Sequence, residues 1–255
     1  MTISHISNTE RMAESPLADG GTPVNVWSGA GLQFPPLDLT GCQEFVVVGA
    51  HPDDETLGFG AAAGLLAASG VRVQIVSASD GGAAFPEYSL LQRYQLERTR
   101  RAELQRAACV LGLPPPISLG LPDGDIAFHE QRLTDLLIEI LLTKPPGTWC
   151  AATWRGDGHP DHEAVGRAAA TATAYTGTTF IEYPVWMWHW AQPDDIAVPW
   201  DRTFAAPSTP AAVERKKLAA QCFESQFVPQ SPERQPVLPA YLLPRLLSVG
   251  EVVFC

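Results

Sequence analysis

No stretch of this 255-residue chain is long and apolar enough to cross a membrane as a helix. The first twenty residues are polar and lack the apolar core of a secretory signal, so a cytoplasmic protein is expected. Basic residues are few: 17 Lys and Arg stand against 28 Asp and Glu, a net charge of −11. Nucleic acid and anionic membrane surfaces would be repelled, which argues against both as partners. Cysteines are five, Cys42, Cys109, Cys150, Cys222 and Cys255, widely spaced and with no C-x-x-C pair. That excludes a disulfide framework and a thiolate zinc site, and leaves reduced thiols. None has a His close in sequence, so a cysteine nucleophile is not expected either.

What is present is an ordinary globular composition, 45% hydrophobic, at a length that suits one α/β domain. Residues 1–41 are rich in Ser, Thr, Gly, Pro and Asn without a sustained period. They read as an N-terminal arm, extended or partly disordered, that touches the domain through Trp27, Phe34 and Leu37. From 42 to 255 the pattern alternates. Strands are expected at 44–50, 71–78, 116–120, 148–154, 178–184 and 250–255, and helices at 54–69, 90–112, 129–142, 162–175 and 210–224. Strand alternating with helix means βαβ units, hence a single doubly wound, mainly parallel sheet of Rossmann-like type with helices on both faces.

Two short segments concentrate the chemistry. His51-Pro52-Asp53-Asp54-Glu55 follows the continuous apolar run Phe45–Ala50, and His159-Pro160-Asp161-His162 follows the run Trp149–Trp154 through the turn 155–158. Both read as strand, polar turn, helix, which in a parallel sheet places both turns at the carboxyl edge where ligands bind. A plain helix start accounts for the prolines and the acids. It does not account for a His before each Pro, nor for His162. Two or three imidazoles and several carboxylates at one edge form the donor set of a catalytic zinc ion with one open position; Fe(II) or Co(II) would accept the same donors. Spacing brings His51 and Asp54, and likewise His159 and His162, to one side of a first turn. It does not choose which Asp or which His binds. The glycines Gly58, Gly60 and Gly64 miss the dinucleotide spacing, and the acids beside them would repel a pyrophosphate. Close helix–sheet packing explains them better.

The paired His motifs resemble the signatures of the PIG-L/LmbE-like zinc-dependent N-acetylglucosaminyl deacetylases. Arg100-Arg101-Ala102-Glu103-Leu104 looks like that family's Arg-x-x-Glu-Leu helix, Leu119 to Gly124 like its Leu-Gly-x-x-Asp loop, and Lys217 to Ser225-Gln226 like its C-terminal Lys…Ser-Gln helix. The resemblance runs over roughly residues 43–228. It implies Zn²⁺ on His51, Asp54 and His162, with Asp53 as the general base for a zinc-bound water that attacks an N-acetyl amide. It places an oxyanion-stabilising His at His159, whose imidazolium Asp161 would hold. Arg100 and Asp123 match substrate-holding positions, and Asp157 falls at the edge of the same site. The implied partner is a small N-acetylated amino sugar or glycoconjugate, with a homo-oligomer as a further option. Two alternatives remain: an amidase that cleaves a larger acyl group from a sugar or thiol conjugate, and a metal-binding module without turnover. The aromatic, proline-rich stretch 183–200 reads as a loop over the same edge. There Trp188, His189 and Trp190 either face substrate or seal the core.

Overall fold

In the computed structural model, which describes residues 6–229 and 235–255, the chain enters through the expected arm; residues 1–5 of that arm lie outside the described residues. Over the remainder, an extended conformation gives way to two short helices, α1 (Asn8–Ala13) and α2 (Val24–Gly29). Helix α1 starts on a reciprocal capping box between Ser7 and Glu10, which satisfies backbone donors at both ends of its first turn. Helix α2 carries Trp27 into the interior. There the indole meets Trp188 edge-on at 4.9 Å between ring centroids and donates to the Trp188 carbonyl at 3.0 Å. Phe34 and Leu37 also pack on the core. Composition suggested disorder because polar and small residues dominate the segment; a few apolar anchors outweigh them.

The domain is built on β1 (Glu44–Gly49), β2 (Arg72–Ser79), β3 (Ile117–Leu121), β4 (Thr148–Thr153), β5 (Thr179–Tyr183), β6 (Thr203–Ala205) and β7 (Val252–Phe254). Their order is β3-β2-β1-β4-β5-β7-β6, parallel from β3 to β5, with β7 antiparallel to both β5 and β6. Strand β6 was not expected from the sequence; it is three residues long and lies at the sheet edge, too short to show a period. In register, Val47 lies opposite Ile75 on one side and Ala151 on the other. Alternate residues feed two cores. Phe45, Val47 and Ile75 face one, with α3 (Asp54–Ala68), α4 (Leu90–Leu111) and α8 (Pro210–Ala220); Val46, Val48 and Val76 face the other, with α5 (Glu130–Leu142) and α6 (Pro160–Thr176). Burial on both faces is why β1 reads as an unbroken apolar run.

Three further helices complete the chain: α7 (Met187–Trp190), α9 (Glu224–Phe227) and α10 (Leu242–Val249). Helix α3 packs closely on the sheet: a Cβ on Gly58 would collide with the Tyr183 ring. The order reverses between β1 and β4, so the turns after these two strands flank the crevice where doubly wound sheets place ligands.

Candidate metal centre

The turn after β1 presents two carboxylates in different directions. Asp54 Oδ2 accepts the backbone N–H groups of Ala50 (3.1 Å) and His51 (2.8 Å), which fixes it beneath the turn. Asp53 adopts φ 156° and ψ −31°, a conformation that side-chain-bearing residues rarely take and that costs on the order of 1–3 kcal/mol. Its carboxylate meets Arg100 Nη2 at 3.2 Å. Arg100 is itself buried and also donates to the carbonyls of Gly81 (3.0 Å) and Pro52 (3.4 Å). Arg101, one residue on and exposed, pairs with the buried Asp80.

The turn after β4 supplies the imidazoles. Asp157 is fully buried, and its carboxylate accepts from the N–H groups of Val185, Trp186 and Met187 at 3.0, 2.9 and 2.9 Å. Its Oδ2 also lies 2.8 Å from His162 Nδ1. When the ring is neutral, an acid there keeps the proton on Nδ1 and leaves the lone pair on Nε2. His162 Nε2 is buried, makes no hydrogen bond among the described residues, and sits 3.2 Å from Asp54 Oδ1. Across the crevice His51 Nδ1 is 3.4 Å from Asp54 Oδ2, while its Nε2 is 3.1 Å from Asp123 Oδ1 and 3.2 Å from Asp161 Oδ2. His159 caps α6, its Nδ1 accepting the Asp161 N–H at 3.2 Å. The acceptor role of Nδ1 puts the proton of the neutral ring on Nε2.

Burial and mutual charge sort these groups. Burial pushes Asp53 up to about 7, with the Asp54 charge adding to the rise and Arg100 opposing it. Asp54 goes the other way: burial works against its charge, yet His162 and His51 hold it well below the usual carboxylate range. Burial and the neighbouring His162 and His51 push His159 down to about 3. For His162, burial is outweighed by Asp54 and Asp157, which lift it to about 9.

The donor set fits a divalent ion. One donor atom from each of His51, Asp54 and His162 lies within 4.8 Å of the other two, and the same holds for His51, His159 and Asp161. The first group contains the orphaned Nε2 of His162, a buried polar atom whose cost needs a partner. Imidazole and carboxylate are the ordinary donors for zinc, and one more position would stay open to water or substrate.

Several expectations change. Asp157, expected beside substrate, is sealed in the interior with its oxygens on three backbone donors and His162; it positions an imidazole. Asp161 does not hold the His159 ring: its carboxylate accepts from Gly124 N–H (2.8 Å) and Ile126 N–H (3.1 Å) and touches His51. Asp123 shares that contact and accepts the Ala83 N–H at 2.7 Å. In the Lys…Ser-Gln segment it is Lys216, not Lys217, that is buried, paired with Glu251. The aromatic stretch folds as α7 with Trp188, His189 and Trp190 all buried. His189 bonds Ser15 O and Arg245, while Asp195 pairs with Arg11 of the arm. Only its start, Val185 and Trp186, reaches the crevice. With Leu57, Leu238 and Leu242 these are an apolar part of the lining of a cavity of about 210 Å³, which His51, Asp53, Arg100, Asp123 and His159 also line. That apolar lining was missed because Leu238 and Leu242 sit among prolines, where no hydrophobic period develops.

Residues 46–173 match the family model of PIG-L, GlcNAc-PI de-N-acetylase. The chain is 31% identical over 167 residues to a 1D-myo-inositol 2-acetamido-2-deoxy-alpha-D-glucopyranoside deacetylase of Nocardioides sp., a match covering 53% of this chain and 55% of that protein. It thus spans about half the length of the curated relatives it matches. Among solved structures, the N,N'-diacetylchitobiose deacetylase of Pyrococcus horikoshii superposes with a TM-score of 0.58 at 20% identity, over 75% of this chain and 74% of that one. A Pseudomonas putida 4-carboxy-2-hydroxymuconate hydratase superposes with a TM-score of 0.54 at 19% identity, over 72% and 80%. The fold therefore hosts more than one reaction, and the reaction must be argued from the site.

Proposed function

The chain belongs to the PIG-L, GlcNAc-PI de-N-acetylase, family, and on the chemistry of its crevice we propose that it is a metal-dependent hydrolase that removes the N-acetyl group from an amino sugar or glycoconjugate. The observation that carries this reading is the single unsatisfied nitrogen of His162. Its ring is fixed by Asp157, its Nε2 points at Asp54, and it is buried without a hydrogen bond. His51, Asp54 and His162 would hold zinc, which when bound polarises an amide carbonyl and acidifies a water molecule.

The remaining roles belong to this chain's own side chains. Asp53 lines the cavity and is kept from the metal donors by its contact with Arg100. Raised to about 7 by burial, its carboxylate is basic enough to take the proton of the attacking water near neutrality and return it to the departing amine. Arg100 fixes its direction. His159 faces the cavity as a neutral ring, so its Nε2–H can donate to the amide oxygen as charge builds there. That replaces an imidazolium held by Asp161. Asp161 and Asp123 instead steady His51 and the loop at 124–126.

The apolar wall of Leu57, Val185, Trp186, Leu238 and Leu242 favours one further reading, an amidase that accepts an acyl group larger than acetyl. Mass spectrometry of a panel of N-acyl amino sugars incubated with the zinc-loaded protein tests both. Loss of the acetyl group, released as acetate, from N-acetyl substrates supports deacetylation. Turnover restricted to longer acyl chains supports the second reading, and no turnover of any amide removes both.

A further inference from the structure

Helix α4 serves two clefts. Three residues past Glu97, its Arg100 reaches the crevice described above. Before that, Leu90, Tyr94 and Glu97, at i, i+4 and i+7, lie on one helix face and line a second cavity of about 270 Å³. The two cavities share Ala83 and Asp123 as lining residues. These two shared residues are joined by the hydrogen bond in which Asp123 accepts the Ala83 N–H at 2.7 Å. The second cavity is open to solvent on apolar side chains: Leu90 is 86% exposed and Tyr94 53%. Tyr94 and Arg100 are about 9 Å apart along the helix axis at 1.5 Å per residue, longer than one sugar ring.

Its charges restrict what it can take. Glu97, Asp123 and Asp125 line it, and its one basic lining residue, Arg93, spends Nε on the Tyr88 carbonyl and Nη2 on the Pro86 carbonyl. A phosphate or carboxylate would meet three acids against one guanidinium, so the net charge of the lining still repels it. An uncharged ring or aliphatic group would find the Tyr94 face and the Leu90 side chain, and hydroxyls would find the carboxylates.

We propose that the cleft between Tyr94 and Asp123 is a second substrate subsite, which takes the uncharged, apolar or ring-bearing distal part of a glycoside whose acetamido group lies at the His51–Asp54–His162 cluster. This rests on the deacetylase reading above. It assigns the protein to substrates larger than free N-acetylglucosamine and selects neutral over anionic aglycones.

The test compares the parent with Tyr94→Ala and Leu90→Ala, both at exposed positions outside the reacting groups. The probes are N-acetylglucosamine, its 4-nitrophenyl glycoside and its 4-carboxyphenyl glycoside. The parent is expected to turn over the nitrophenyl glycoside with the highest kcat/KM and the carboxyphenyl one less well. Each variant should raise KM for the nitrophenyl glycoside about threefold to tenfold, the worth of one aromatic contact, and leave N-acetylglucosamine unchanged. Equal effects on all three probes, or none, overturn the subsite while leaving the deacetylase reading intact. If the parent deacetylates no probe, that reading fails separately, and calorimetric binding of the nitrophenyl glycoside decides the subsite: affinity unaltered by Tyr94→Ala overturns it, and a threefold to tenfold loss supports it.

Discussion

Asp157 Oδ2 and His162 Nδ1 lie 2.8 Å apart with neither side chain exposed, and this contact decides which imidazole nitrogen is left for a metal. With Nδ1 committed as donor, the ring cannot turn over without losing its hydrogen bond to a buried carboxylate, worth about 1.5–3 kcal/mol. The same carboxylate gathers the N–H groups of residues 185–187, so the metal donor and the apolar wall are set by one side chain.

Asp157→Asn should therefore weaken zinc binding by about 10–100-fold, the usual effect of losing a carboxylate behind a ligating imidazole. It should also lower stability, because an amide has one acceptor oxygen where the carboxylate has two. Competition against a chromogenic chelator measures the first and thermal unfolding the second. A variant with the parent's zinc affinity would show that His162 does not depend on Asp157.

The parts of this arrangement that were legible in the sequence are those written in local signals. His51-Pro-Asp-Asp and His159-Pro-Asp-His each follow an apolar strand and open a helix, so the topology alone carries them to one edge. The role of Asp157 was not legible. Its spacing to His162 is five residues, and nothing in a Gly-Asp-Gly turn says that the carboxylate points inward rather than at substrate. Only the return of the chain at 185–187, which offers three unpaired backbone donors, fixes its direction. The same holds for Lys216 against Lys217, adjacent on α8, where only the approach of Glu251, just before β7, chooses between them. Trp188 and Trp190 looked like a lid because aromatic residues among prolines lack a period; α2 brings Trp27 against Trp188 from the far end of the sequence.

Asp53 carries a backbone conformation that suits glycine, at φ 156°. In a helix interior alanine is better than glycine; at this N-cap, a position that already prefers glycine, the positive φ should reverse the order. Asp53→Gly is expected to be more stable than Asp53→Ala by about 1–2 kcal/mol, the strain being relieved only in the first. For a chain of this length that is a difference of about 2–8 °C in Tm. Both should be inactive. Asp53→Asn should keep zinc and lose about 10²–10⁴-fold in kcat, as a general base does. Loss of zinc in Asp53→Asn, read by metal analysis of the purified protein, would instead make Asp53 a ligand.

Trp188 is 2% exposed, edge-on to Trp27, and its carbonyl takes the Trp27 Nε1–H. Trp188→Ala should cost about 3–5 kcal/mol, the range for emptying a large aromatic site. Since α2 loses its packing partner, residues 15–29 should become susceptible to limited proteolysis. KM in the folded fraction should stay at the parent value, because Trp188 does not line the cavity, whereas Trp186 does. A raised KM with unchanged stability would return Trp188 to the substrate.

Lys216 and Glu251 form an ion pair at 2.8 Å with both side chains about 3% exposed. Glu251 also accepts the N–H groups of Ala61 and Ala62 at 2.8 Å each, so the pair ties α8 to α3 and to the residue that leads into β7. Removing one partner leaves a buried charge, which typically costs about 3–5 kcal/mol; replacing both with apolar groups of similar volume is often close to neutral. The two carboxylate-bound N–H groups alter that balance here. Lys216→Met should be strongly destabilising, because Glu251 keeps its charge and loses its cation. Glu251→Gln in the Lys216→Met background should recover part of the loss, since the amide oxygen still accepts one helix N–H and no charge remains buried. Denaturant unfolding of the four proteins of this cycle gives the coupling. Additive losses would mean that the two side chains contribute independently and that the ion pair itself adds no coupling.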